Sequence, residues 1–377
     1  MAKELKHIPN IRFPEFKNSG EWNKIALEDI LDYEQPTKYI VESDNYKEEG
    51  TPVLTANKSI ILGYTKELHN IYETLPTIIF DDFTADSKYI DFPFKIKSSA
   101  IKLLTVKCER EDNLRFIFET IQLIPFEAKE HKRHYISEFQ KQSIYIPQNP
   151  AEQKKIAECL SSLDDYINAT QEKIELLQAH KKGLMQHLFP ILGEDMPKLR
   201  FPKFKKAKGW KIVKLKTICH ITNGKANTQD HHKNGKYPLF DRSAIIKASD
   251  EYIFDAEAVI IPGEGVRFIP KYYNGKFNLH QRAYALKDFT CSALFVYYIM
   301  QQKESLLAQK AVQSTVLSLR LPILQEFPIK LPTDIDEQKE IAECFTSIDD
   351  LIDSTKQKLV MLQNHKRGLM QQLFPTV

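Results

Sequence analysis

Two stretches of the chain carry apolar residues at alternating steps of four and three positions. The first extends from Ile156 to Leu188 and the second from Ile341 to Leu373. This spacing is the period of a coiled coil, whose narrow apolar seam is buried only when a second helix packs on it. We therefore predict two long helices that pack on each other. The domain that connects them permits either helix direction, and we favour antiparallel because a two-fold-like arrangement then sends the two inserts to opposite ends of a rod. The predicted seam residues are Ile156, Leu163, Thr170, Leu177 and Leu184 in the first helix and Ile341, Ile348, Thr355, Leu362 and Leu369 in the second.

Residues that start or stop helices mark the ends of both stretches. Pro150 precedes the first predicted helix, Asp336 is placed to cap the second, and a Phe-Pro pair ends each of them. Each helix then has about 37 residues and a length of roughly 55 Å.

Both predicted seams contain polar residues at equivalent positions, Thr170 with Thr355 and Lys181 with Lys366. Buried polar residues in a seam fix the register of paired helices. Alternatively, the lysines extend their ammonium groups into solvent where the two helices separate. The pattern leaves both interpretations open.

The two helical stretches belong to a longer repeat. Residues 146–190 and 331–375 are identical at 25 of 45 aligned positions without a gap, and IRFPEFKNSGEW at 11–22 resembles LRFPKFKKAKGW at 199–210. Because the period is too long for a solenoid, we infer two tandem copies of one module.

Residues 23–145 and 211–330 lie between these repeated blocks and share little identity. A frame that is kept while its inserts differ suits a scaffold with two different recognition surfaces. Runs rich in β-branched and aromatic residues predict strands at 77–80, 101–106, 143–147, 237–240, 258–262 and 283–286, and short helices at 113–122 and 292–309. The predicted fold class is α+β: two globular mixed α/β domains separated by two long antiparallel coiled-coil helices, in a pseudo-two-fold tandem repeat.

Composition adds few constraints. A chain of 377 residues is too long for one ordinary hydrophobic core. No apolar run approaches the roughly 20 residues of a membrane span, and residues 1–10 lack the apolar centre of a signal peptide. The five cysteines are scattered without a CxxC pair, which argues against a disulfide framework or a zinc site. We expect a protein of the reducing cytoplasm, with no membrane association.

Charge differs between the inserts. Residues 20–145 contain 16 Lys+Arg against 22 Asp+Glu, whereas residues 210–330 contain 17 against 10. The second insert has the balance of a nucleic-acid binder. The first is acidic, so contact with phosphates there requires a locally basic face, for which residues 95–102 and 131–135 are candidates.

Candidate chemistry is concentrated in three segments of the second insert that we predict as turn-rich loops, at 262–268, 271–277 and 278–284. Their Arg, Lys, Asn, Gln and His residues beside aromatics suit phosphates and base edges. We recognise no phosphate loop, nucleophile, acid–base pair or metal cluster, and predict no catalytic or metal site. Two alternatives stay open: a metal-dependent nuclease acting alone through Asp81, Asp82 and Asp86, and a coiled-coil adaptor without DNA contact.

The order of the repeated motifs resembles a known family. The motifs are RFPEF at 12–16, EQKKIA at 152–157 and HKKGLMQHLFP at 180–190, followed by RFPKF at 200–204, EQKEIA at 337–342 and HKRGLMQQLFP at 365–375. Twice over and across the whole chain, they resemble the specificity (S) subunit of type I restriction–modification enzymes.

The resemblance implies a non-catalytic subunit of a bacterial defence system. Each of two target recognition domains would read one half of a bipartite site in double-stranded DNA. The helices would set the spacing and dock two methyltransferase (M) subunits and, through them, restriction (R) subunits. S-adenosylmethionine, ATP and Mg are then expected on the partner subunits and no cofactor on this chain. The expected parts are a first recognition domain at 1–147, a central conserved helix at 148–190, a second recognition domain at 191–332 and a distal conserved helix at 333–377.

We select candidate DNA-binding residues by their side-chain chemistry. In the first insert they are Thr55, Asn57, Lys58, Thr84, Lys88, Lys97, Arg133 and His134. In the second they are Arg242, Ser243, Arg267, Lys271, Tyr273, Asn274, Lys276, His280, Gln281 and Arg282. Arg282 lies beside a strand pattern and can instead pair with a carboxylate. Loop positions are not carried from one insert to the other, since the first has IIFDDFT where the second has PGEG.

Overall fold

The computed structural model describes residues 7–55, 60–108, 110–128, 133–191, 193–313 and 316–375. The chain divides into two compact units. Unit 1 comprises the residues up to Gln171 and those from Gln357 onward, and unit 2 extends from Glu172 to Lys356. Both divisions fall inside a long helix, at equivalent positions of the repeat. Each unit therefore contains one insert, the first half of one long helix and the last half of the other.

The elements of the first insert and the helix that follows it are, in chain order, β1 (Asn23–Ala26), α1 (Leu27–Ile30), β2 (Leu31–Glu34), β3 (Thr51–Leu54), β4 (Ile61–Thr65), β5 (Thr77–Asp81), β6 (Ser87–Ile90), β7 (Lys95–Ile96), β8 (Ile101–Val106), α2 (Leu114–Ile121), β9 (Ser143–Ile146) and the long helix α3 (Pro150–Leu188). Those of the second insert are β10 (Lys211–Lys214), β11 (His220–Asn223), β12 (Tyr237–Phe240), β13 (Lys247–Ser249), β14 (Phe254–Pro262), β15 (Lys271–Leu279), β16 (Ala283–Lys287), α4 (Ala293–Gln302), α5 (Glu304–Lys310), α6 (Leu321–Gln325), β17 (Pro328–Leu331) and the long helix α7 (Ile335–Leu373).

Unit 1 contains two larger sheets beside the two-stranded β1-β9 sheet. The first has the order β2-β8-β5-β6 with antiparallel neighbours, and the second has the order β4-β3-β7, in which β3 and β7 run parallel. Helix α2 packs Phe116 and Ile117 into the core with Phe80 of β5. Its first turn is capped by Asn113, whose side chain accepts a hydrogen bond from the Phe116 N–H at 2.9 Å.

Unit 2 repeats this topology in spite of the low sequence identity. Its sheet has the order β11-β16-β14-β15-β12-β13, and β12 and β15 run parallel. The series β2-β8-β5-β6 corresponds to β11-β16-β14-β15, and β4-β3-β7 corresponds to β13-β12-β15. The difference is that β15 is one nine-residue strand, whereas β6 and β7 of unit 1 are separate. In both units the first and last strands of the insert pair antiparallel, β1 with β9 and β10 with β17.

The prediction of a loop at 271–277 is wrong, because these residues lie in strand β15. An Asn-Gly pair such as Asn274-Gly275 is the usual signal of a hairpin turn. Here both residues pair with β14, opposite Glu257 and Ala256, and Gly275 takes a φ of +135° that glycine adopts without steric cost. The strand therefore passes straight through the predicted turn. The loop predicted at 278–284 shrinks to residues 280–282.

Most other element predictions are confirmed. Strands occupy the predicted segments 77–80, 101–106 and 237–240. The single helix predicted at 292–309 is instead two helices, α4 and α5, which meet at Lys303.

The long helices α3 and α7 have 39 residues each. Pro150 is the first residue of α3 rather than the residue before it. Asp334, not the predicted Asp336, supplies the cap of α7, since its side chain accepts a hydrogen bond from the Asp336 N–H at 2.9 Å. The equivalent Asn149 accepts one from the Ala151 N–H at 2.9 Å.

The seam lysines form ion pairs with the other long helix. In unit 1 the Lys366 ammonium lies 2.7 Å from Asp164 of α3. In unit 2 the Lys181 ammonium lies 2.6 and 2.8 Å from the two carboxylate oxygens of Asp349 of α7. The alternative that these lysines extend into solvent is therefore wrong.

The seam threonines are buried but act within their own helices. Thr170 and Thr355 are each 5% exposed. Their hydroxyls donate to carbonyls one turn earlier, Tyr166 O at 2.7 Å and Leu351 O at 2.6 Å. A hydroxyl that donates inside its own helix cannot also donate to a partner helix. The remaining predicted seam residues are all buried or half-buried.

Two buried ion pairs, which we call the anchor pairs, attach the RFPxF segments to the long helices. The Arg12 guanidinium binds Glu152 through Nε and Nη2, both at 2.6 Å, and Arg200 binds Glu337 with the same two distances. Both glutamates are fully buried. Such two-point contacts fix orientation as well as distance.

The glutamine that follows each anchor glutamate binds the short helix of the insert. The side-chain oxygen of Gln153 accepts a hydrogen bond from the Asn113 N–H at 2.9 Å, and that of Gln338 accepts one from the Ser292 N–H at 2.9 Å. Asn113 and Ser292 are the N-caps of α2 and α4. The repeated Glu-Gln dipeptide thus holds each insert on the first turn of a long helix.

Candidate nucleic-acid interface

The ends of two parallel strands form a cleft in unit 2. Strands β12 and β15 end side by side at Phe240 and Leu279, so the residues that follow them reach the same edge of the sheet. The His280 N–H donates to Phe240 O at 2.9 Å and holds the two segments together. A cleft of about 620 Å³ opens here, and four of the predicted residues line it: Arg242, His280, Gln281 and Arg282.

The cleft also contains polar residues that the sequence did not single out. Asn227, Gln229, Asp241, Lys247 and Glu264 line it beside the predicted four. Asp241 directly follows the predicted strand at 237–240, and this is the sequence signal that was available for it. The approach of Asn227 and Gln229 depends on the path of the chain after β11, which no local pattern shows.

Most charges of the cleft are internally paired. Burial would raise the pKa of the Asp241 carboxyl, but hydrogen bonds from Lys247 and Ser243 outweigh it and lower that pKa to about 2. The Lys247 ammonium lies 2.7 Å from Asp241. Arg282 was predicted to bind DNA, and it lies 2.8 Å from Glu264, so the carboxylate pairing raised as the alternative is present. Burial lowers the pKa of His280, so its imidazole is held more strongly in the neutral form.

Arg242 differs from these paired cations. Its side chain is exposed, and no acidic partner for it is found among the described residues. It is therefore the cation of the cleft that is most available to a phosphate or a guanine.

The other predicted residues of unit 2 have mainly structural contacts. Ser243 binds Asp241 through its N–H at 2.8 Å, and the Lys271 ammonium donates to Ser243 O at 2.5 Å. Burial lowers the pKa of Lys271. Tyr273 packs against Phe240 and Phe277.

Three further candidates lie on the surface, outside the residues that line the cleft. Arg267 is within 3.3 Å of Glu304. Asn274 is exposed on β15. The Lys276 ammonium lies 4.8 Å from the centre of the Tyr252 ring.

Unit 1 forms the equivalent edge from different residues. Strands β3 and β7 end at Leu54 and Ile96, and the Lys97 N–H donates to Leu54 O at 2.9 Å, as His280 does to Phe240. Lys97 forms an ion pair with Asp44, and this contact raises the pKa of its ammonium group. Thr55 follows β3 and is only 8% exposed.

The residues that follow Lys97 at this edge of unit 1 differ in type from those that follow His280 in unit 2. Ser98 and Ser99 follow Lys97, where Gln281 and Arg282 follow His280 in unit 2. Neither serine is among the candidates predicted from the sequence. The predicted Asn57 and Lys58 lie outside the described residues.

The hairpin between β5 and β6 carries the remaining candidates of unit 1. Thr84 and the neighbouring Phe83 are exposed at its tip, and the Arg133 guanidinium lies 5.9 Å from the Phe83 ring centre. Lys88 is half-buried on β6. His134 is fully buried, so its imidazole cannot contact DNA in this structure, and we remove it from the candidates.

Two of the three carboxylates of the nuclease alternative, Asp81 and Asp82, have structural partners, whereas Asp86 is exposed. Asp82 is 2% exposed, lies 3.0 Å from the Lys102 ammonium and accepts a hydrogen bond from the Tyr135 N–H at 2.8 Å. Asp81 accepts hydrogen bonds from the N–H groups of Phe83 and Thr84 at 2.7 and 2.9 Å. Oxygens occupied in this way are poor ligands for a catalytic metal.

Among the described residues, no three His, Cys, Asp or Glu side chains are arranged to hold a metal ion. In the same part of the chain, each helix is too short or too polar to cross a membrane.

Comparison with known proteins gives consistent matches. The model of the type I restriction modification DNA specificity domain matches residues 19–179 and 207–364. The chain is 30% identical over 379 residues to the specificity subunit of the type I restriction enzyme EcoR124I/EcoR124II from Escherichia coli, covering 90% of this chain and 89% of that one. It is 24% identical over 420 residues to the MjaVIII specificity subunit from Methanocaldococcus jannaschii, covering 98% and 94%.

A solved structure shows the same fold. The crystal structure of the S subunit of a type I restriction–modification system from M. genitalium superposes with a TM-score of 0.74 at 17% identity, covering 98% of this chain and 100% of that one.

Proposed function

The chain belongs to the type I restriction–modification DNA specificity family, and on this premise we propose that it reads a bipartite site in double-stranded DNA, one half-site with each unit. DNA recognition is the role of its two specificity domains, and the chain is a non-catalytic subunit that acts with partners.

One observation carries this proposal: the two units have one topology but different residues at the same edge. The ends of β3 and β7 in unit 1 and of β12 and β15 in unit 2 are held by the same backbone hydrogen bond, Lys97 N–H to Leu54 O and His280 N–H to Phe240 O, both 2.9 Å. The residues that follow differ in charge and shape. Two equivalent edges with different side chains suit two different half-sites.

We propose that α3 and α7 form an antiparallel coiled coil with pseudo-two-fold symmetry that sets the gap between the half-sites. The reciprocal ion pairs support this, since Asp164 of the first repeat binds Lys366 of the second and Asp349 of the second binds Lys181 of the first. The recognition domains would cover residues 1–147 and 191–332, with the helical parts at 148–190 and 333–377.

We propose that each unit docks one methyltransferase subunit on the outer face of the long helices. Exposed apolar side chains occur there at equivalent positions of the repeat: Tyr166 with Leu351, and Leu176 with Met361, all more than 40% exposed. Unit 1 contains Tyr166 and Met361, and unit 2 contains Leu351 and Leu176. Each unit thus has two exposed apolar side chains at equivalent positions of the repeat, which supports docking of two copies of one partner.

We propose the remaining parts of the assembly from the family membership, not from the geometry. Restriction subunits would bind through the methyltransferase subunits. S-adenosylmethionine, ATP and Mg would be bound by those partners, in the cytoplasm, and this chain would hold none of them.

The proposal is tested by mapping methylated adenines in DNA from cells that carry the chain with its partner subunits. We expect one bipartite motif. Insertion of one heptad after residue 171 and another after residue 356 falls at the divisions between the units, so contacts within each unit are kept. It should lengthen the helices by roughly 10 Å and widen the gap by about three base pairs, with both half-sites unchanged.

A heptad in α3 alone is the control, because the two helices then differ in length and methylation should be lost. A gap that stays fixed while the half-sites change would contradict the spacing role. Absence of any methylated motif, with the chain bound to its partners but not to duplex DNA, would favour the adaptor alternative.

A further inference from the structure

Two amide side chains in the cleft of unit 2 are hydrogen-bonded to each other. The Nε2 of Gln281 donates to the Oδ1 of Asn227 at 2.7 Å. Both residues are exposed and both line the cleft of about 620 Å³. They come from different elements, Asn227 from the segment after β11 and Gln281 from the turn between β15 and β16.

With this bond made, the Oε1 of Gln281 can still accept and the Nδ2 of Asn227 can still donate. The side-chain oxygen of Asn227 also accepts a hydrogen bond from the Asp230 N–H in a capping box, which assigns the oxygen and nitrogen ends of this amide. The pair therefore offers a donor from Asn227 and an acceptor from Gln281. Adenine presents the complementary pair in the major groove, the N7 acceptor beside the N6–H donor.

The backbone on which the pair stands is fixed. The Gln281 N–H donates to Ala226 O at 2.9 Å, and Asn223 Nδ2 donates to Gln281 O at 3.2 Å. The Asn227 N–H donates to the Asp230 carboxylate at 2.7 Å. Amides held in this way lose little conformational entropy on binding, which favours a selective contact.

We propose that the Asn227–Gln281 amide pair reads the adenine of one A·T base pair in the half-site bound by unit 2. Asn227 donates to N7 and Gln281 accepts from the N6 amino group. Arg242, at the same cleft, supplies the positive charge that holds the adjacent phosphate. The inference rests on the proposed function, because it assigns a base to one of the two half-sites.

Unit 1 gives an internal control. Where Gln281 follows His280 in unit 2, Ser98 follows Lys97 in unit 1, and the next residue is Ser99. The equivalent turn of unit 1 therefore offers hydroxyls in place of the amide, so its half-site should be indifferent to changes at Gln281.

The test is the methylated motif in cells that carry the chain, or a variant of it, with its partner subunits. Gln281→Ala removes the acceptor and should lower the preference for adenine at one position of one half-site by about 5- to 150-fold. Gln281→Glu keeps the shape but leaves only acceptors, which match the N4 amino group of cytosine. It should shift that single position from adenine toward cytosine.

The matched control is Gln309→Ala, which removes an exposed glutamine of α5 that does not line the cleft. It should leave every position of the motif unchanged. Thermal unfolding of the purified variant chains should match that of the parent, which separates loss of readout from loss of folding.

The outcomes are separable. If the parent chain yields no bipartite methylated motif, the proposed function fails. If the parent motif is bipartite and Gln281→Ala leaves it unchanged, or reduces methylation at all sites without relaxing one position, only the adenine reading is overturned. A change confined to one position of one half-site supports it.

Discussion

The two units share a frame and differ in how they use charge. In both, an anchor pair, a Glu-Gln dipeptide and a long-helix lysine make the same contacts. In unit 1, however, Lys95 and Lys102 are each 1% exposed and pair with Glu67 at 2.8 Å and Asp82 at 3.0 Å. These two lysines cannot reach DNA. The acidic insert therefore has even fewer basic side chains available for phosphate contacts than its composition suggests.

Unit 2 keeps its lysines nearer the surface and extends β15 through both parts of its sheet. The corresponding strand of unit 1 is divided into β6 and β7. The two units therefore keep their contacts with the long helices but differ within their sheets, where sequence change is better tolerated. Contacts between an insert and the long helices need particular side chains at particular distances, whereas the sheet only needs strands that pair and a filled core.

The largest expected effect tests the shared frame. Glu152→Ala in unit 1 and Glu337→Ala in unit 2 each leave a buried arginine without its carboxylate, which costs about 3–5 kcal/mol. Since the two anchor pairs have the same distances, the two losses in free energy of unfolding should be similar, with a somewhat larger loss for Glu337→Ala because Glu337 also accepts a hydrogen bond from Trp210 Nε1 at 3.4 Å. Trp22 reports on unit 1 and Trp210 on unit 2, so urea unfolding of single-tryptophan variants measures each unit separately.

Glu158→Ala and Glu343→Ala are the matched controls, because these glutamates are exposed on the same two helices. Their effect should stay within about 0.5 kcal/mol. Anchor losses that differ between the units by more than about 2 kcal/mol would contradict an equivalent frame.

An intermediate effect tests a difference between the units. The pKa of Asp241 is lowered from 3.8 to about 2 in the folded protein. A depressed carboxyl pKa stabilises the fold above the unfolded value, and this stability is lost as the pH falls from about 4 to about 2. The loss should be on the order of 2 kcal/mol.

Asp241→Asn should remove this pH-dependent component from unit 2, as measured by Trp210 fluorescence in acid titrations. Unit 1 has Thr55 after β3, where unit 2 has Asp241 after β12, and should lack this component. An unchanged acid profile in the Asp241→Asn variant would refute the role of the carboxylate.

The smallest effect concerns phosphate contacts. Arg242→Ala should weaken binding of duplex DNA by the assembled complex uniformly across sequences and reduce the salt slope of the affinity by about 1. Lys97→Ala in unit 1 should reduce it less, because Lys97 is already paired with Asp44. Titrations between about 50 and 200 mM salt measure both slopes. Equal reductions of the salt slope in the two variants would contradict this difference between Arg242 and Lys97.

The sequence predicted the helices and most strands well but the interface only in part. Apolar periodicity placed α3 and α7 closely, because a seam repeats over many turns. Arg242, His280, Gln281 and Arg282 were chosen for their chemistry and lie in one cleft. Tyr273 and His134 were chosen in the same way and lie in packing contacts, since side-chain type does not reveal burial.

The sequence by itself determined the two-copy organisation, the long helices, the uneven charge and the family, because each is written in local pattern or in order along the chain. Only the tertiary structure decided that Lys181 and Lys366 bind carboxylates of the other long helix and that both inserts share a topology. Only the tertiary structure showed that Asn227 contacts Gln281 and that strand β15 continues through Asn274 and Gly275. These features depend on contacts between residues far apart in sequence, where pairing and burial outweigh local preference.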